Sequence, residues 1–165
     1  MDRLIMLIAV AAALPLTAPS NELLAQKSSV VSACSLLSAA EIKSITRRSD
    51  LAVRKPHVEE SEFRSNCIYP GASSIGITVQ TTSKQMYEKF RDMYKNAPPS
   101  YKLITYERAA GVGQDAYFLT HNDTQNVVAV VALVGGRELK VSLEKGNGHK
   151  PKVLALAKAA AAKLR

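Results

Sequence analysis

The side chains able to do covalent or acid–base chemistry in this 165-residue chain are few: two cysteines, Cys34 and Cys67, and three histidines, His57, His121 and His149. An even pair of thiols can close one disulfide where the surroundings are oxidising. The histidines can act as general bases or metal ligands, provided other groups converge on them. His57-Val58-Glu59-Glu60 offers three candidate ligands, yet metal sites draw ligands from several well-spaced positions, and a solvated loop is the simpler reading. His121-Asn122-Asp123 falls at an expected hairpin tip, where Asn and Asp serve the turn. A hydrolytic centre would need one of the three histidines to meet Asp115 or Asp123. Gly111-Val112-Gly113-Gln114-Asp115-Ala116 fits the G-x-G-x-x-A phosphate-cradling pattern, but that pattern needs a helix after it, and Tyr117-Phe118-Leu119-Thr120 reads as strand. No G-x-S-x-G elbow or H-E-x-x-H motif is present. The sequence implies no cofactor and no metal site.

The compartment follows from the first residues. After Met1-Asp2-Arg3 comes an apolar run from Leu4 to Leu16, then Thr17-Ala18 and polar sequence. A short n-region, an apolar h-region and small residues are the layout of a secretory signal. The run is shorter than the roughly 20 apolar residues of a membrane span, and Pro15 interrupts it. Cleavage is expected after Ala18 or Ala25, with residues 1–25 as signal, 26–33 as a flexible leader and 34–165 as one domain. The expected location is secreted or periplasmic, and Cys34 and Cys67 become candidate disulfide partners. Two alternatives stay open: an uncleaved signal acting as anchor, and lipidation at Cys34, since Val31-Ser32-Ala33-Cys34 has small residues before the cysteine.

The whole chain carries a net charge of +8. Removing residues 1–25 takes away Arg3, Asp2 and Glu22 and leaves 21 basic and 12 acidic residues, a net +9. That charge favours anionic partners. Arg47, Arg48, Arg54 and Lys55 form the densest basic group, and Lys140, Lys145, Lys150 and Lys152 a second; both are candidate contacts for an anionic partner, with a solvated face as the plain alternative. Aromatic residues are only 5% and Trp is absent. Without basic and aromatic residues interleaved for base stacking, nucleic acid is not an expected partner.

Hydrophobic periodicity supplies the elements that must position these groups. Ser38-Ala39-Ala40-Glu41 is a capping box flanked by Leu37 and Ile42 as a staple, which starts a helix at Ala39 running to about Arg47. Leu51 to Arg54 is a weak strand. Phe63 to Tyr69 is a better one, with Phe63, Ser65, Cys67 and Tyr69 on one face. Ile75, Ile77 and Val79 alternate with polar residues in a half-buried strand. Thr82-Ser83-Lys84-Gln85 is a second capping-box candidate, and the helix after it carries Met86, Phe90 and Met93 at i, i+4, i+7 as its expected core face, ending at Asn96. Short strands are expected at Leu103–Tyr106 and Ala116–Leu119. Val127 to Val134 is apolar on both faces and reads as a central strand. Gly135-Gly136 is a hairpin turn, and Leu139, Val141 and Leu143 face the core. A last helix is expected from Pro151 to Arg165, with Val153, Ala157, Ala160, Ala161 and Leu164 inward. Two hairpin-then-helix units, 62–96 and 126–165, follow one another. The expected class is α+β, a single domain with an antiparallel sheet and its helices on one face.

Three segments in this order resemble a known family. They are Cys34-Ser35-Leu36-Leu37-Ser38-Ala39-Ala40-Glu41, then Cys67-Ile68-Tyr69 in a strand, then Gly111-Val112-Gly113-Gln114-Asp115-Ala116-Tyr117 before the last strands. The pattern is similar to a family of small exported bacterial domains of unknown function, many of them lipoproteins, and spans residues 34–165. The resemblance implies a Cys34–Cys67 disulfide, an α+β fold and a cell-envelope location, and brings no catalytic residues with it. Lipoprotein members carry a separate cysteine ahead of the domain; this chain lacks one, so lipid anchoring does not carry over. The expected function is a non-enzymatic envelope or extracellular domain that binds a protein or an anionic surface. The alternative is an envelope hydrolase with a His/Asp site.

Overall fold

The computed structural model describes residues 30–48, 56–71, 74–98, 104–121, 127–144 and 149–164. Residues 1–29, with the apolar run Leu4–Leu16, and Arg54, Lys55, Asp123 and Lys145 lie outside the described residues, as does the weak strand expected over Leu51–Arg54. Seven strands form one antiparallel sheet: β1 (His57–Glu60), β2 (Arg64–Tyr69), β3 (Ile75–Thr81), β4 (Ile104–Arg108), β5 (Asp115–His121), β6 (Val127–Val134) and β7 (Arg137–Leu143), in the spatial order β1-β2-β3-β7-β6-β5-β4. Among the described residues three α-helices accompany it: α1 (Ala39–Thr46), α2 (Lys84–Lys95) and α3 (His149–Leu164). The α+β class and the antiparallel sheet are as read from the sequence. None of the described helices is long and apolar enough to cross a membrane.

The larger core lies on one face. Cys67, Ile75, Ile77, Val79, Phe118, Val130, Leu139 and Val141 point into it, beneath α1 and α3. The inward row of α3 is the expected one plus Leu156. The capping box forms as read: the Ser38 amide donates to Glu41 Oε2 at 2.8 Å, and the Glu41 amide donates to Ser38 Oγ at 3.2 Å. Lys163 donates to Glu41 Oε1 at 2.6 Å and ties the last helix to the first. This cation, with the Ser38 donors, holds the Glu41 carboxyl down at about 2. Packing begins ahead of Cys34, because Ala33 is fully buried, Val31 packs against the core, and the Ala33 amide donates to Ser65 Oγ at 2.8 Å.

One expectation is corrected: the helices do not share a face. Tyr87 of α2 packs with Tyr117, Leu119, Val131 and Leu133, the residues of β5 and β6 that point away from the larger core. The reason is the composition of those strands. A strand apolar on both faces needs a cover on both. The two hairpin-then-helix units therefore send their helices to opposite sides and are not copies of one arrangement. A second expectation is refined: His57–Glu60 is an edge strand rather than a loop, with all four residues exposed.

Cys34 and Cys67 are bonded, with Cα atoms 5.2 Å apart across a sequence separation of 33. The bond fastens the turn before α1 to the middle of β2. Beside it the Tyr69 hydroxyl donates to the Leu37 carbonyl. With its sulfur committed to Cys67, Cys34 has none left for a lipid thioether, which sets aside lipidation at this residue. Closing a loop of this length stabilises by roughly 3–4 kcal/mol in the chain-entropy account. The paired Cys34→Ser, Cys67→Ser variant is expected to lose about 3 kcal/mol of unfolding free energy in a urea titration; an unmoved midpoint would show that the bond constrains nothing.

Candidate functional site

The second face of the sheet is divided in two. Ser83 caps α2 by accepting from the Met86 amide at 3.1 Å, one residue later than the sequence pattern suggested. The buried side of the helix is displaced by one residue as well. Tyr87, Arg91 and Tyr94 turn inward, while Met86, Phe90 and Met93, expected as core, are exposed. The shift has a polar cause as much as an apolar one. The Tyr87 hydroxyl donates to the Asp115 carbonyl at 3.0 Å, and Arg91 Nη1 donates to Asp115 Oδ2 at 2.7 Å. Tyr117 sits amid the rings of Tyr87, Tyr94 and Tyr106, with centroids 5.8, 6.4 and 5.3 Å away. Burial drives the Tyr87 and Tyr117 phenols well above their ordinary range, so both remain protonated.

Beyond α2 the same face turns polar. Register places Arg64 beside Gln80 and Gln80 beside Glu138; one row over, Asn66 lies beside Thr78 and Thr78 beside Lys140. Thr78 Oγ1 donates to Asn66 Oδ1 at 3.0 Å, and Asn66 Nδ2 donates to Glu59 Oε2 at 3.3 Å. Where the covered and open halves meet there is a cleft of about 170 Å³, lined by Gln80, Phe90, Tyr94, Tyr117, Leu119, Val131, Glu138 and Lys140. Aromatic rings form one wall and a carboxylate and an ammonium the other. Gln80 Nε2 donates to Glu138 Oε1 at 3.1 Å. Burial raises the Glu138 carboxyl above the usual carboxylate range, against the pull of Lys140 and Gln80. Burial lowers the Lys140 ammonium below its usual range, and Glu138 opposes that.

Of the second basic group read from the sequence, the described members are split between the two faces of the sheet. Lys140 lies in this cleft. Lys150 and Lys152 belong to α3 across the sheet, where Lys150 pairs with Glu107 and stands 5.6 Å over the Phe118 ring. Arg47 ends α1 in a left-handed conformation with φ of 56° and is exposed; Arg48 follows it.

The histidines are spread apart. His57 is on edge strand β1, 3.3 Å from Glu59. His121 closes β5 and His149 opens α3. Five strand spacings separate β1 from β5, roughly 24 Å. Asp115 opens β5, about 20 Å along the strand from His121, and is held by Arg91. Among the described residues no three of His, Cys, Asp and Glu are grouped to hold a metal ion.

The Gly-rich segment is a hairpin link from β4 to β5, with no helix after it. Gly111 and Gly113 have φ of +79° and +57°. A Cβ on Gly113 would lie 2.2 Å from the Leu133 carbonyl oxygen, and the Gln114 amide donates to that same oxygen at 2.8 Å. The glycines serve a close approach of two backbones.

Compared with known proteins, the chain stands without a sequence match: no protein-family model matches it, and no curated protein does.

Sequence reasoning located Lys140 but not its surroundings. Gln80, Phe90, Tyr94 and Glu138 came into the site only through strand register and the rotation of α2.

Two outcomes follow. Gly113→Ala is expected to destabilise by about 2 kcal/mol or more, through its positive φ and the blocked carbonyl. Gly136→Ala, with φ of +74° and open space around it, should lose less in the same denaturation assay. For Glu138, a raised folded pKa means the native state takes up a proton before the unfolded chain does. Its ionisation therefore costs stability at neutral pH, and that cost is relieved as pH falls toward the unfolded value. Glu138→Gln is expected to be more stable than the parent at pH 7, with the gap closing on acidification; a gap that widens would reverse the sign argued here.

Proposed function

We propose that this chain is an exported, non-enzymatic binding domain of the cell envelope or extracellular space, and that it holds another protein on the half-covered face of its sheet. One observation carries the reading. Met86, Phe90 and Met93 stand 47, 42 and 52% exposed in a line along α2, beside a floor of hydrogen-bonding side chains. An apolar row flanked by polar groups is the make-up of a protein contact surface.

The charge on this face favours a protein over a polyanion. Its cations Arg64 and Lys140 are interleaved with Glu59 and Glu138, so the surface matches a partner of mixed charge better than a uniformly negative one. Export is supported by the apolar run Leu4–Leu16 and by the Cys34–Cys67 bond, which persists in oxidising compartments. The resemblance to small exported envelope domains agrees with both. The hydrolase alternative finds no support in the dispersed histidines.

Met86→Lys with Met93→Lys changes two outward side chains and should leave the fold intact, as judged by an unchanged melting curve. Cross-linking of the oxidised protein in envelope extract is expected to yield a partner adduct that falls at least tenfold in this variant, because each buried methionine contributes roughly 1.5–3 kcal/mol. An adduct that forms equally well with the variant would place the contact elsewhere.

A further inference from the structure

The cleft beside α2 has a feature that a flat protein contact does not require. Two opposite charges sit half-buried at its edge, and neither has its hydrogen-bonding capacity filled. The Glu138 carboxylate accepts from Gln80. The Lys140 ammonium makes no hydrogen bond or close ion pair with any described residue, although Glu138 acts on it through space. Charges lifted out of water need close partners. Glu138 and Lys140 are two residues apart on one face of β7, about 7 Å between Cα atoms. They flank a gap and do not close on each other. Opposite them the cleft offers the rings of Phe90, Tyr94 and Tyr117. Its volume, about 170 Å³, compares with the roughly 150 Å³ cavity that holds one benzene ring.

We propose that this cleft binds a free α-amino acid with a large apolar side chain, its carboxylate on Lys140, its ammonium on Glu138 and its side chain against Phe90 and Tyr94. A zwitterion satisfies both charges at once. A simple anion on Lys140 would leave Glu138 unanswered beside it, and a simple cation on Glu138 would do the same with Lys140. The ring wall sets the preference for aromatic or long aliphatic side chains over small ones. The assignment rests on reading this face as a binding surface and names a second, smaller ligand there.

The test is calorimetric titration of the oxidised protein with L-phenylalanine up to about 10 mM, tenfold above a millimolar Kd. Glycine, 3-phenylpropionate and phenethylamine serve as comparison ligands. Saturable binding of phenylalanine is expected, with each comparison ligand weaker by about tenfold or more, since each lacks the ring or one charge-assisted contact. Lys140→Met and Glu138→Gln should each weaken phenylalanine binding by a similar factor while still melting cooperatively, Glu138→Gln no lower than the parent at pH 7. Phenylalanine binding that is undetectable in the parent protein, or unmoved by Lys140→Met, overturns the proposal. The protein-partner reading is judged separately, by the Met86→Lys, Met93→Lys adduct. An adduct lost in that variant, with no amino-acid binding in the parent, sinks the cleft assignment and leaves the partner surface standing. Amino-acid binding with an unchanged adduct does the reverse.

Discussion

The strand Val127–Val134 has to be kept from water on both of its faces, and the rest of the architecture answers that demand. Val130, Ala132 and Val134 face α3, while Val131 and Leu133 face the other way, toward Tyr87. Placing such a strand inside the sheet, between β5 and β7, removes its edges from solvent. It also obliges a helix to lie on each side. The twelve residues of α2 span only about 18 Å, against roughly 29 Å across seven strands. The helix therefore covers the end of the sheet that is apolar on both faces and stops where the outward residues become Glu138, Lys140 and Ser142. The cleft is the step left at that margin. Its mixed lining follows from being half core and half surface.

Much of this was legible in the residues, and the exceptions have identifiable causes. The Ser38–Glu41 box, the alternation of Ile75, Ile77 and Val79, and the inward row of α3 are local patterns, and they appear where periodicity puts them. The rotation of α2 was not legible. Its sequence offers two rows one residue apart, Met86-Phe90-Met93 and Tyr87-Arg91-Tyr94, and hydrophobicity favours the first. The second wins because tyrosine hydroxyls and an arginine find acceptors at Asp115, a contact invisible until β5 is placed. The strand His57–Glu60 was missed because an edge strand exposed on both sides has no alternation to detect. The apolar character of Val127–Val134 on both faces is legible in the residues; the helix on each side follows only once that strand is placed inside the sheet.

The site was less legible than the fold. Lys140 was grouped with Lys150 and Lys152 by closeness in sequence, yet a strand and the helix after it can lie on opposite sides of a sheet. Strand register pairs Lys140 with Thr78 and Val131, and no spacing rule within the chain reveals that neighbourhood. The Gly111–Ala116 segment shows the opposite case. Its spacing imitates a phosphate loop, while its surroundings make it a tight link between two strands.

The position of β7 bears on the order in which the sheet can close. Among the described residues it is the last strand in sequence, yet it lies between β3 and β6 and bridges the two halves of the sheet. Until it has been synthesised, β3 has one open edge and β6 another, and neither half can close. The sheet is therefore completed by a late segment of the sequence, which must insert between two edges that earlier segments supply.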